Sequence, residues 1–263
     1  MRTLRALPSA LTLPALVLAG ACASSPAVPP AAAPAPGATV ARVTTGDADP
    51  AARALAEATL ARMGGADAWD ATRYIHWKFF ARREHWWDKQ TGDVRIDAGD
   101  ALVLMNVNTH AGRAWKDGAE VVDPAEREKL LEAGYAWWVN DSYWLAMPYK
   151  LLDPGVILRD EGPGALPDGR PAHILGLTFE SVGLTPQNRY EVYVSDDTQL
   201  VEHWKYYENA SDTQPKVEGE WSGWQPFGRI WFATDRGRGF DWDIAVYDDL
   251  PRALFTSPDK PAG

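Results

Sequence analysis

The chain has 263 residues, 46% hydrophobic and 24% charged, and a formal net charge of −10 at pH 7. With no basic stripe to displace counterions from a phosphate backbone, the composition argues against nucleic acid as a partner. A single cysteine, Cys22, excludes an intrachain disulfide and a thiolate metal cluster.

Residues 1–22 carry Arg2 and Arg5, an apolar run from Leu11 to Leu18, then Leu18-Ala19-Gly20-Ala21-Cys22. This is the layout of a secretory signal, too short for a membrane span with stop-transfer flanks. Small residues before a cysteine resemble a bacterial lipobox, which would make Cys22 the acylated first residue of the mature protein. Ala21-Cys22-Ala23 also fits ordinary signal cleavage, which would leave a soluble periplasmic or secreted protein. Removal of Arg2 and Arg5 takes the net charge from −10 to −12. The absence of Asp at position 23 fits sorting to the periplasmic side of the outer membrane, where several acyl chains hold far more firmly than one. Residues 23–46 are rich in Ala and Pro and read as an extended tether, reaching up to roughly 70 Å in polyproline geometry.

The folded part, residues 47–263, is expected to open with a helix capped by Asp49, with Pro50 at its first position and Gly64-Gly65 at its end. A short turn is read at Asp67–Ala71. From Arg73 to Trp87 the pattern alternates, with Ile75, Trp77, Phe79 and Ala81 on one side and His76, Lys78 and Arg82 on the other. That predicts one long antiparallel strand. A turn at Asp88–Gly92, a return at Asp93–Ile96, and strands at Ala101–Asn108 and Arg113–Trp115 follow. Asp123-Pro124-Ala125-Glu126 starts a second helix.

That helix leads into Tyr135–Val156, which packs Trp137, Trp138, Tyr143, Trp144, Met147 and Tyr149 close together. Asn140 and Asp141 interrupt it and Pro148 and Pro154 break it, so it reads as a bent helical lid over something apolar. Asn140, Asp141 and Ser142 read as the cap of a second helical segment, or as polar groups at a cavity mouth. Strands are then expected at Val156–Asp160, His173–Phe179, Arg189–Val194, Leu200–Tyr207, Glu218–Trp224, Arg229–Arg236 and Phe240–Tyr247. The predicted fold is mainly β with helices (α+β): one large curved antiparallel sheet of about ten strands forming a half-open barrel. Helical lid segments cover its concave side.

Ile75-His76-Trp77-Lys78-Phe79, Glu84-His85-Trp86-Trp87-Asp88 and Leu104-Met105-Asn106-Val107-Asn108 resemble segments of an uncharacterised family of bacterial envelope proteins. So do Trp138–Leu151, Asp153-Pro154-Gly155-Val156, Gly183-Leu184-Thr185-Pro186 and Asn188-Arg189-Tyr190. The resemblance covers roughly residues 50–256. That family is similar in fold to the outer-membrane lipoprotein-sorting carriers, which implies an incomplete barrel closed by helices over an acyl-binding cavity. It implies no reaction. The chain departs from the carriers in holding far more tryptophan, 13 in all.

Catalytic candidates are His76, Glu84, His85 and Asp88, but the odd offset of nine between the histidines places them on opposite faces of a strand. A metal site would need His110, His173 or His203 to converge from elsewhere, and no H-E-x-x-H or C-x-x-C occurs. Asp241, Asp243, Asp248 and Asp249 offer carboxylates of the kind glycosidases pair. The favoured function is binding without catalysis. A hydrophobic or amphipathic ligand, a lipid or acyl chain, would be held between lid and sheet by Trp86, Trp87, Trp137, Trp138, Tyr143, Trp144 and Met147. No cofactor or metal is expected; an envelope protein is a possible further partner. The alternatives are a hydrolase or other enzyme acting in the same groove and a structural envelope scaffold whose tryptophans simply fill the core.

Overall fold

Asp49 begins the architecture by satisfying two segments at once. Its carboxylate accepts the Ala52 N–H at 2.8 Å, capping α1 (Pro50–Arg62), and the Asp160 N–H at 3.0 Å. The computed structural model describes residues 46–260 except Arg238, Phe240 and Asp241. The expected signal, Cys22 and, apart from Gly46, the tether lie outside the described residues.

Fifteen strands and three α-helices follow one another among the described residues. The chain is mainly β, as expected, and none of its sheets closes into a barrel. The hydrogen-bonded strands divide into a six-stranded sheet, a seven-stranded sheet and a two-stranded hairpin. The seven-stranded sheet contains β2 (Tyr74–Phe79), β3 (Arg83–Asp88), β4 (Asp93–Ala98), β5 (Ala101–Asn106), β6 (Gly112–Lys116) and β7 (Ala119–Glu120) as a meander. Its other edge is β15 (Ala245–Tyr247), which pairs with β2. The six-stranded sheet runs β1 (Asp47–Ala48), β8 (Val156–Ala165), β9 (Pro171–Phe179), β10 (Arg189–Ser195), β11 (Val201–Tyr207) and β12 (Val217–Glu220). The hairpin is β13 (Ser222–Phe227) with β14 (Ile230–Asp235).

Three local expectations are corrected. The long strand from Arg73 to Trp87 is a hairpin, β2 to β3, because Phe80 and Ala81 adopt φ of 47° and 53° and the Arg82 N–H closes the turn on the Phe79 carbonyl at 3.0 Å. The turn at Asp67–Ala71 belongs to a short helix, α2 (Gly65–Ala71). The lid is one continuous helix, α3 (Pro124–Ala146), followed by a single 3-10 turn, Met147–Lys150. Asn140 and Asp141 lie inside α3, and both prolines fall beyond its end. Asp123 caps α3 as expected, accepting from the Ala125 and Glu126 N–H groups at 3.0 and 2.9 Å.

At 23 residues, α3 is about 35 Å long and serves both large sheets. Its first four turns pack Leu130, Leu131, Tyr135 and Trp138 against Val94, Ile96, Val103 and Met105 of the seven-stranded sheet. Its last turns and the 3-10 turn place Tyr143, Trp144 and Met147 among Leu158, Leu177, Val192 and Trp204 of the six-stranded sheet. Gly134 permits the approach to β5, since a Cβ there would lie 2.8 Å from Val103 Cγ1. No helix of the described residues is long and apolar enough to cross a membrane.

Candidate functional site

Where the second half of α3 leaves the seven-stranded sheet for the six-stranded one, a cavity of about 570 Å³ remains. This is within the usual range for small-molecule sites. Trp138, Tyr143 and Trp144 of α3 form one wall, Trp69 of α2 and Trp87 of β3 a second, and Phe179 and Tyr190 of the six-stranded sheet a third. Val182, Leu184 and Thr185, between β9 and β10, form the rim. Val182 and Leu184 are exposed, at 37% and 51%, among the few large apolar side chains that are. The rim leans on Gly155, which has φ +83° and where a Cβ would lie 2.3 Å from Val182 Cγ1.

The aromatic walls are fixed by one another. Trp87 and Trp138 meet edge to face at 5.4 Å, Trp69 stacks on Tyr149 at 4.3 Å, and Tyr190 stacks on Trp204 at 5.5 Å. The indole N–H groups of Trp87 and Trp138 are buried and have no hydrogen-bond partner among the described residues. The charged residues lining the cavity are Lys150 and Asp153, which bond each other.

Of the seven expected ligand-contact residues, the structure brings Trp87, Trp138, Tyr143 and Trp144 to this cavity. The other three lie elsewhere. Trp86 faces away from Trp87, as neighbours on a strand must, and packs with Tyr74, Leu254 and Phe255. Trp137 sits beside the Arg83 guanidinium, 5.7 Å from its ring centre, and Met147 is buried in the core against the six-stranded sheet. Trp69, Phe179 and Tyr190 escaped sequence reasoning. Alternation in Arg189–Val194 does place Tyr190 on the same face as Val192, which was the available signal for it.

Beside the cavity, Asp141 is fully buried and bonds both Arg83, at 2.6 and 2.7 Å, and His85 Nε2, at 2.7 Å. Asn140 Nδ2 adds a fourth bond at 2.8 Å. Burial alone would raise the Asp141 carboxyl, but the hydrogen bonds from Arg83 and His85 outweigh it and hold it below its ordinary range. Burial pushes His85 down against the pull of Asp141. The two directions agree: Asp141 is the anion, Arg83 its counter-ion, and His85 a neutral ring donating through Nε2. His85 Nδ1, left without a partner, is then an unprotonated acceptor. The cluster ties α3 to β3, and its anion and imidazole are both fully buried, away from any substrate.

The remaining catalytic candidates do not reach the cavity. His76 and His85 stay on opposite faces, now because they occupy two paired strands, with Trp86 and Trp77 as their respective partners. Glu84 therefore points away from His85 and accepts from His76 at 2.9 Å, while Asp88 holds Arg73. The ligand atoms of His76, Glu84 and Asp243 lie within 4.8 Å of one another on the outer face of the sheet. Lys78 already bonds Asp243 at 2.6 Å and Lys260 bonds Glu84 at 2.8 Å, so both carboxylates have cations. His110 packs at a tilt against Tyr135, His173 faces Asp196, and His203 packs edge-on to Tyr193, in three separate places.

No family model matches the chain. Among solved structures, it is similar to a DUF1329 family protein from Desulfovibrio piger ATCC 29098. The identity is 16%, over 78% of this chain and 96% of that one, with a TM-score of 0.41. It is also similar to MucB, at 20% identity over 57% of this chain and 55% of that one, with a TM-score of 0.21. For MucB in complex with MucA(peri) the values are 16%, 81%, 60% and 0.24. At these scores the likenesses carry nothing about ligand, partner or compartment.

Proposed function

We propose that this protein binds a hydrophobic or amphipathic ligand, a lipid or acyl chain, in the cavity between α3 and the six-stranded sheet, without chemistry. The observation that carries this reading is the aromatic cavity of about 570 Å³, opening past exposed Val182 and Leu184. Burying each methylene gains about 0.8 kcal/mol, enough for useful affinity after the costs of association. The lining holds no histidine, and its one carboxylate, Asp153, is bonded to Lys150. In this reading acylated Cys22 and its tether hold the domain at the periplasmic side of the outer membrane, within reach of membrane lipid or an envelope partner.

The test is native mass spectrometry with solvent extraction on full-chain protein carrying Cys22→Ser, so that no acyl group can be attached there. A co-purifying lipid or fatty acid, depleted by Trp138→Ala and by Leu184→Asp, is expected. A clean apo mass, with tryptophan fluorescence unmoved by fatty acids, monoacylglycerols and phospholipids, would sink the reading. The same substitution should move the protein from the membrane fraction to the soluble one; continued membrane association would rule out the anchor.

A further inference from the structure

Two hydroxyls inside the cavity have nothing to bond. Tyr143 of α3 and Tyr190 of β10 both line it, with ring centres 5.5 Å apart. Packing fixes both rings: Tyr143 lies edge-on to Phe179 at 6.2 Å, and Tyr190 is stacked on Trp204. Neither hydroxyl has a hydrogen-bond partner among the described residues. Tyr149, one turn beyond α3, shows how this fold treats a phenol in filled core. Its oxygen lies 2.9 Å from the Met63 carbonyl and 2.8 Å from the Trp231 carbonyl, and it accepts the Trp231 N–H at 2.9 Å. Tyr143 and Tyr190 instead line the open space of the cavity, where a polar group of a ligand can meet their hydroxyls.

Burial raises the pKa of Tyr143 well above the ordinary phenol range and raises that of Tyr190 too, so both keep their protons and both can donate. The charge balance of the lining narrows what they can receive. Its cation, Lys150, is bonded to Asp153. A carboxylate entering the cavity would have to break that pair or stay unneutralised in an apolar space, whereas an uncharged carbonyl would not.

Resting on the binding function proposed above, we infer that the cavity selects acyl chains ending in an uncharged carbonyl, an ester or an amide, over free fatty acids. The Tyr143 and Tyr190 hydroxyls are the donors that make the distinction. The ester would come from a glycerolipid and the amide from an N-acylated chain; the carbonyl chemistry is shared.

The experiment titrates full-chain Cys22→Ser protein with monolauroylglycerol, lauramide and laurate at pH 8, read by tryptophan fluorescence and checked by native mass spectrometry. The ester or the amide is expected to bind about tenfold tighter than laurate, the effect of one or two retained hydrogen bonds. A preference confined to one of them supports the inference and assigns the source. Tyr143→Phe/Tyr190→Phe, with unchanged circular dichroism, should lose that preference while laurate affinity holds. Equal or tighter laurate binding by the wild type, which needs no variant to fold, would overturn the inference. So would a folded double variant that keeps the preference. Binding of none of the three would overturn the proposed function together with it.

Discussion

Asp141 has no accessible surface, yet it meets a guanidinium and an imidazole across 58 and 56 residues of chain. Removing the Asp141 charge leaves the largely buried Arg83 guanidinium without its anion and the buried His85 ring without its acceptor. Asp141→Asn is therefore expected to cost about 3 kcal/mol or more in urea unfolding. The pH dependence has one sign for both titrating members. The folded-state value of His85 lies below the ordinary 6.5, so its contribution is full above that value and falls away as pH drops below it, where the unfolded chain takes up the proton. Asp141 lies below its ordinary 3.8, so its contribution is lost later, as pH falls through the lowered value. The urea midpoint should fall between pH 7.5 and 5.5, and less so in His85→Gln; equal slopes in the two proteins would remove His85 from the account. None of this was legible in the sequence. Asn140-Asp141 reads locally as a cap, and only the distant Arg83 and His85 make Asp141 an interior anion.

The Phe80-Ala81 turn is the element that sequence reading missed outright. A hairpin turn with positive φ announces itself through Asn or Gly, and this three-residue loop, Phe80-Ala81-Arg82, uses neither. Phe80 has a reason to be there, packing at 5.7 Å from Trp144 and 5.2 Å from Trp242. Ala81 is exposed and holds φ +53° with no aromatic contact in compensation. Ala81→Gly should stabilise the fold by about 1 kcal/mol, a rise in Tm of about 3 °C by thermal melting. Gly134 predicts the opposite sign. Alanine in mid-helix normally gains about 1 kcal/mol over glycine, but here its Cβ would press on the stiff Val103 side chain. Gly134→Ala should therefore destabilise by about 1 kcal/mol, and adding Val103→Ala should recover part of the loss. Helices with local signals were readable: Asp49-Pro50 and Asp123-Pro124 start α1 and α3 where expected.

At the scale of the molecule, α3 lies between two sheets whose inner faces need covering, and the cavity is the place where that covering is incomplete. The mainly β class and most strand positions followed from alternation and turn residues. The division between the sheets did not, because hydrogen bonding between distant strands leaves no local trace. The same limit explains the site. Trp86 and Trp87 are equally aromatic, and only the β2–β3 register decides which one meets α3. A ligand seated there joins α3 to both sheets and binds only the folded chain. At about 100 times its Kd it should stabilise by about 2.7 kcal/mol, raising Tm by about 5–10 °C. A melting temperature unmoved by a ligand that fluorescence shows to be bound would mean that it sits outside the cavity.

The edge-to-face pair of Trp87 and Trp138, 5.4 Å apart and inclined at 77°, has an optical consequence. Two indoles this close share their excited states, and oblique transition moments make such a pair rotate light in a paired positive and negative band. Trp144 and Trp204, at 4.5 Å and 85°, form a second such pair on the other side of the cavity. The protein thus carries its own chiral signal for whatever enters. Trp138→Phe should erase the first contribution and spare the second, so the difference spectrum on adding a ligand tells which wall it touches without any attached dye.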